Sequence, residues 1–345
     1  MRDSSGAVPA PARNPQGRRV ANLGAGTAPL LSFLAALILA ACGEKPPAPA
    51  APLPPIKVSP DLWKEFSGDK ALAHVITQVE FGPRPSGSAA LEKARGHIIS
   101  TLQGHGWETE RQEFKETPVS GRGEIPFTNV IARFPATSGQ PASRTTQRII
   151  IGSHYDTKVM NEARFVGAND GGSSTGALLE LARVLATAPA LAEQLELVFF
   201  DGEEAILGFG SAELGPDGLV GSRYYARQLR PRAQQYRFAI VWDMIGDKDL
   251  TITLPADSPK HLAAALLTAA EQLGVRRNFG FFGQQILDDH VTIATIARIP
   301  AIDIIDFDFP PWHTGGDTLD KLSATRLETV GRVTLKMLLN ELSAK

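Results

Sequence analysis

The 345-residue chain has one cysteine, Cys42, so no intrachain disulfide can form. It also lacks an excess of charge of either sign: 35 Lys and Arg stand against 37 Asp and Glu, a formal net charge of −2. Such a balance provides no basic footprint for a phosphate backbone, and nucleic acid is not an expected partner. No internal repeat is found. One apolar run, "LLSFLAALILAACG" (30–43), is too short for a comfortable membrane span. Preceded by Arg18 and Arg19 and ending in small residues, it reads as the core of a signal peptide. The chain is 43% hydrophobic, a globular composition, enough for one large α/β domain or two modest ones.

The apolar run ends at the single cysteine. "LAAC" (39–42) resembles the bacterial lipobox, which implies lipidation of Cys42 and a membrane-anchored chain. A plain secretory signal or a membrane anchor is the alternative. By the same resemblance Gly43, standing where Asp would redirect sorting, implies the outer membrane, and Arg18–Arg19 hints at twin-arginine export. The expected location is the bacterial cell envelope, lipid-anchored and facing the periplasm. "EKPPAPAAPLPPIKVSP" (44–60) is Pro/Ala-rich and reads as a semi-rigid tether. Residues 1–41 are thus read as signal peptide, 42–60 as tether and 61–345 as one catalytic domain.

Within that domain, Leu72, Val75, Ile76 and Val79 have helical spacing. "FGPRPSGS" (81–88) is a turn with helix-start signals, and 89–106 reads as a helix closed by glycine. Strands are expected at 129–134, 148–154, 195–200, 238–246 and 299–306, and helices at 172–188, 261–274 and 323–342. Leu178, Leu181, Ala182 and Leu185 would form one face of the helix at 172–188. Strands alternating with helices imply an α/β fold, its largely parallel sheet covered on both faces, with ligands bound beyond the carboxyl ends of the strands.

Polar residues gather at those ends. His154 and Asp156 follow one strand, Asp170 precedes the next helix, and Asp201, Glu203 and Glu204 follow "LVFF". Asp243, then Asp288, Asp289 and His290, and finally His313 complete the set. Imidazoles and carboxylates without sulfur suit a borderline cation such as zinc, and one His with two carboxylates would leave a catalytic zinc one open position. A metal also accounts for adjacent glutamates: one binds it while its neighbour stays free as acid/base, and the metal charge offsets their repulsion. Taken singly, each strand-end Asp, Asp170 included, reads equally as a helix cap or turn residue. His74, His97, His105 and His261 lie in helical or loop contexts and read as ordinary histidines.

The segments "HYDTK", "FVGAND", "FFDGEEA", "DMIG", "DDH" and "WHT", in this order, resemble the zinc aminopeptidase and glutaminyl cyclase superfamily over about residues 61–345. The resemblance implies a single domain with a central mixed, mostly parallel sheet. It implies Asp170, Glu204 and His313 as metal ligands and Glu203 as the acid/base. In the aminopeptidases a second zinc would use His154 and Asp243 with Asp170 bridging; the animal-type cyclases use one zinc. Three features favour the cyclase: sixteen residues between Glu204 and Gly221, "DDH" at 288–290, and the wording of "GPRPSGS", "FVGA", "FFDGEEA" and "WHT". Asp288 would then pair with Asp243 as catalytic carboxylates, and Trp312 and Phe309 would wall the pocket around the glutamine methylenes. Three features depart from the cyclase pattern: "NDGGSSTGALLE", Leu287 where cyclases tend to have Gln, and Phe209 where the resemblance implies a tryptophan. The implied function is zinc-dependent glutaminyl-peptide cyclotransfer on peptide or protein N-termini. The alternative is a di-zinc aminopeptidase. A metal-binding scaffold without activity is a third reading, disfavoured because no expected ligand or acid/base position is missing.

Overall fold

In the computed structural model, residues 58–117, 123–136, 147–206 and 217–342 are described. Residues 1–57, which hold the expected signal peptide, most of the expected tether and Cys42, lie outside the described residues, as does Phe209.

The chain opens with α1 (Gly68–Glu80) and α2 (Ala89–Gly104), then β1 (Glu108–Glu116), β2 (Ile125–Arg133) and β3 (Arg148–His154). Next come α3 (Gly172–Ala186), α4 (Pro189–Ala192), β4 (Leu195–Phe200), α5 (Val220–Leu229) and β5 (Tyr236–Asp243). It closes with β6 (Ile252–Leu254), α6 (Lys260–Gln272), β7 (Phe279–Phe281), α7 (Asp289–Thr292), β8 (Ala301–Ile305) and α8 (Ala324–Leu342). Local chemistry fixes the first two helix starts. Ser67 and Ser88 are the N-caps, their hydroxyls accepting the amide N–H of Lys70 and Leu91 at 3.4 and 3.1 Å.

The main sheet has the order β1-β2-β4-β3-β5-β8. The β1–β2 and β2–β4 pairings are antiparallel; β3 pairs in parallel with β4 and β5, and β5 with β8. The expected mixed, mostly parallel sheet is therefore present. Strand alternation sends Ile149, Ile151 and Phe199 into a core beneath α1, α2, α3, α6 and α8. Ile150, Val198 and Phe200 point the other way, into a smaller core with Tyr225, Ala226 and Leu229 of α5.

Several elements depart from the sequence reading. β1 (ETERQEFKE) carries too few apolar residues to read as a strand; it is an exposed sheet edge, where charge discourages pairing with another chain. Helix α3 has no solvent face: almost every residue is buried, because the sheet, α1 and α8 surround it. β6 and β7 form a separate two-stranded sheet. Among the described residues no helix is long and apolar enough to cross a membrane.

The connectivity creates the site. Adjacent strands β3 and β4 send their chains to opposite faces: β3 leads to α3 and β4 to α5. Between such diverging exits a crevice opens at the carboxyl edge of the sheet.

Candidate active site

Each polar residue reaches this crevice from a strand exit. His154 ends β3 and Asp243 ends β5, while Asp170 immediately precedes Gly171, the N-cap of α3. Gly171 has φ +74, and a Cβ there would meet His154 at 2.8 Å and the Asp156 carbonyl at 2.9 Å. Only glycine lets the backbone pass so close to His154. Glu203 and Glu204 follow β4 after a turn through Gly202, which has φ +77. His313 lies in the turn after β8. Among the described residues four non-glycine positions have left-handed φ, and two sit here: Met244 (φ 47), beside Asp243, and His313 (φ 51). Such conformations cost about 1–2 kcal/mol each and persist where the surroundings enforce them.

Two trios of candidate ligands converge on Asp170: Asp170, Glu204 and His313, and His154, Asp170 and Asp243, with ligand atoms within 4.8 Å of one another in each. His313 Nε2 lies 3.1 Å from Glu204 Oε2 and 3.5 Å from Asp170 Oδ2. His154 Nε2 lies 3.2 Å from Asp170 Oδ1 and 3.1 Å from Asp243 Oδ1. The side chains fit a cation. Asp170 Oδ2 and Glu204 Oε1 are buried and find no hydrogen-bond donor, and the N/O donor set without sulfur suits zinc. Burial, reinforced by the Glu204 charge, raises Asp170 to about 6; burial likewise raises Glu204, against the pull of Lys158 and His154. A bound cation would hold both ionised.

Glu203 is set apart from its neighbour. It lines a narrow cleft with Asp170, Glu204, Asp243, Met244, Ile286, Leu287, Asp288, Ile305, Phe307, Trp312 and His313. Burial pushes its carboxyl well above the usual range; the charges of Glu204, Asp288 and Asp289 push the same way, and His154 opposes them. Asp156 fixes the two glutamates in place: its carboxylate accepts the backbone N–H of Glu203 at 3.1 Å and of Glu204 at 3.3 Å. It also lies 3.5 Å from His154 Nδ1.

The remaining predicted residues divide. Asp243 and Asp288 both line the cleft and both carboxyls are raised, by burial first; Asp243 adds to the shift at Asp288. Asp288 also groups with His290 and Asp303, ligand atoms within 4.8 Å. Trp312 lines the cleft and stacks on His313, ring centroids 4.1 Å apart. Phe309 is buried behind the cleft with Met244, Ile286 and Ile305 and is not part of its lining. Asp201, at the same sheet edge, accepts hydrogen bonds from Ser86, Arg95 and the Thr128 N–H, away from the trios.

Three further residues act here without having been singled out from sequence. Asp317 accepts the amide N–H of Asn169 at 2.7 Å and of Asp170 at 3.0 Å, so it sets the backbone that carries Asp170. Arg84, fully buried, donates to the carbonyls of Tyr155, Val166 and Gly167 and ties the two loops that carry Asp156 and Asp170. Asp303 is a buried acid in the middle of β8, whose oxygens find no hydrogen-bond donor. "PRPSGS" contains Arg84 and "TGGDT" contains Asp317, but each looks like ordinary turn composition.

The solved glutaminyl cyclase from an Acidobacteriales bacterium is 32% identical, covering 85% of this chain and 99% of its own, with a TM-score of 0.71. A leucine aminopeptidase precursor from Bacteroides thetaiotaomicron is 28% identical over 80% and 98% of the two chains, TM-score 0.69. Among curated proteins, the glutaminyl-peptide cyclotransferase of Dictyostelium discoideum is 25% identical, covering 76% of this chain and 81% of its own. The profile of peptidase family M28 matches residues 129–338, which span β2 to α8 and include both ligand trios and Glu203. This chain belongs to peptidase family M28, and its α/β fold is that of the zinc exopeptidase-like glutaminyl cyclases.

Proposed function

We propose that the chain is a zinc-dependent glutaminyl-peptide cyclotransferase, converting the N-terminal glutamine of peptides to pyroglutamate with release of ammonia. The geometric observation behind it is the division of labour between adjacent glutamates, Glu204 within a ligand trio and Glu203 free in the cleft with a raised carboxyl. The relatives named glutaminyl-peptide cyclotransferase and the solved glutaminyl cyclases favour cyclisation over hydrolysis.

Asp170, Glu204 and His313 would hold the zinc, which supplies a Lewis acid for the side-chain amide carbonyl of the substrate. Glu203 takes a proton from the α-amine as its nitrogen attacks the amide carbon. It returns the proton to the leaving nitrogen, so one C–N bond forms, one breaks, and ammonia departs. A carboxyl raised toward neutrality is suited to carrying a proton both ways. Asp243 and Asp288 are held toward their neutral forms by burial, so one of them can donate a hydrogen bond to the developing oxyanion or leaving group. One zinc suffices for this chemistry. In the aminopeptidase reading, the trio of His154, Asp170 and Asp243 would hold a second.

Purified protein given a Gln-peptide should release ammonia and leave a pyroglutamyl end, with about one zinc per chain. Release of free N-terminal amino acids with about two zincs would instead establish the aminopeptidase. We also propose, from "LAAC" alone, that Cys42 is lipidated and holds the domain to a bacterial envelope membrane. Radioactive palmitate should label the wild-type chain; label retained in Cys42→Ala would refute the anchor.

A further inference from the structure

The chain has seven histidines, and two of them, His154 and His313, belong to the ligand trios. Three others gather on the first two helices, which contribute no residue to the cleft lining. His74 lies in the middle of α1, His97 in the middle of α2, and His105 is the C-cap of α2, about two turns beyond His97. His74 Nδ1 faces His97 Nε2 at 3.1 Å, the ring centroids 5.3 Å apart. Both rings are half-buried at the protein surface. The charges that act on His74 are those of His97 and His105, and no carboxylate offsets them. Imidazoles that would repel one another if protonated are thus gathered where the chemistry above has no use for them.

Burial and this repulsion lower His74 to about 4, and burial lowers His97, so both rings are neutral at pH 7. Neutral imidazole is the form that binds late first-row divalent cations. With each ring's proton on its outer nitrogen, both inner nitrogens offer lone pairs. Metal–nitrogen bonds of about 2.0–2.1 Å to two nitrogens 3.1 Å apart subtend about 100° at the cation, between the square and tetrahedral angles. The nitrogens point at each other as hydrogen-bond partners do, and a rotation of the two rings turns both lone pairs to one point. We propose that His74 and His97 form a further metal site, remote from the catalytic trio, that takes a divalent cation of the zinc, nickel or copper class. Water fills its remaining positions. The cation replaces the hydrogen bond between the rings and clamps α1 to α2. The turn between those helices carries Arg84, which ties the loops of Asp156 and Asp170, and Ser86, which donates to Asp201, so the clamp braces the site from outside it. With only two protein ligands the site is weaker than Asp170, Glu204 and His313, and it stays empty at the zinc concentration that saturates them. The inference is independent of the cyclotransferase reading.

The test gives Cu2+ to the zinc-loaded full chain. Copper binds imidazole more tightly than zinc does, and its paramagnetic resonance spectrum reports the nitrogens bound to it. The wild type should take up one copper beyond its zinc, with zinc content unchanged and a spectrum of two imidazole nitrogens. Its Tm should rise, because the cation binds the folded chain and not the unfolded one. His74→Asn and His97→Asn should each lose that copper and the rise in Tm, with zinc content and circular dichroism as in the wild type. His105→Asn should keep both. No copper bound, copper bound only as zinc is expelled, or uptake unchanged in His74→Asn or His97→Asn overturns the site. The wild-type spectrum decides without either variant: fewer than two bound imidazoles overturns the site as well. A wild-type Tm that copper does not move overturns the clamp.

Discussion

Two buried glutamates, eight residues apart on β4 and its exit, are treated in opposite ways. Glu196, near the start of the strand, accepts from Arg133 Nε at 2.6 Å, from the Tyr236 hydroxyl at 2.9 Å and from the Tyr225 hydroxyl. Glu204, beyond the strand's end, keeps one buried oxygen with no donor and lies within ligand distance of Asp170 and His313. Both carboxylates are removed from water, which is costly without compensation. At Glu196 the fold supplies that compensation from its own donors. At Glu204 one oxygen faces Lys158 at 3.6 Å and His313 at 3.1 Å while the other has no donor, and more acid is gathered beside it, an arrangement that a proton or a bound cation stabilises. The buried acid that lacks a partner, rather than the buried acid as such, marks the functional end of the sheet.

The strongest way to sharpen this contrast is Glu203→Gln. It should lower kcat for pyroglutamate formation by roughly 10³-fold with zinc content unchanged and Tm equal or higher, because it removes a buried ionisable group; metal analysis beside the kinetics checks all three. Glu196→Ala should do the reverse. It leaves Arg133 and two tyrosines without their acceptor and should cost about 3 kcal/mol in chemical unfolding, while the folded protein still binds zinc.

Metal removal comes next. Zinc at a hundred times its Kd should stabilise the wild type by about 2.7 kcal/mol, seen as a Tm that falls on chelation and recovers on readdition; Glu204→Gln should show little of this dependence. Asp317→Asn leaves one acceptor for two N–H groups and should weaken zinc binding roughly 10- to 100-fold in chelator competition, with secondary structure intact. The smallest effect serves as a control outside both regions. His74, whose Nδ1 lies 3.1 Å from His97 Nε2, is lowered to about 4 by burial and by the neighbouring His97 and His105. The unfolded chain takes up this proton near 6.5 and the folded chain near 4, so stability is full above about pH 6.5 and declines as pH falls toward 4. His74→Asn should flatten that decline in urea unfolding between pH 6.5 and 4 without changing the zinc dependence.

The buried strands were legible because their residues repeat a simple signal. β3, β4, β5 and β8 are near-continuous apolar runs, as a sheet covered on both faces demands. β1 was not, since an edge strand need bury little and its nine residues are mostly charged or polar. Asp303 was hidden inside an apolar strand, and Asp201 stood among the metal-site acids although its partners lie elsewhere. Phe309 and Trp312, three residues apart at either side of "PP", had the same aromatic signal; packing buried one and exposed the other.

By itself the sequence determined which residues could carry the chemistry: carboxylates and imidazoles stand at the exits of strands whose positions hydrophobic patterning dictates. Which of those acids meet a cation, which meet an arginine, and how far Glu203 stands from Glu204 in role were decided only by the tertiary structure. The physical reason is that a carboxylate's state depends on the donors around it. Those surroundings are set by Asp156, Arg84 and Asp317, which hold the backbone of the site loops, residues distant in the chain and brought together only when β3 and β4 diverge.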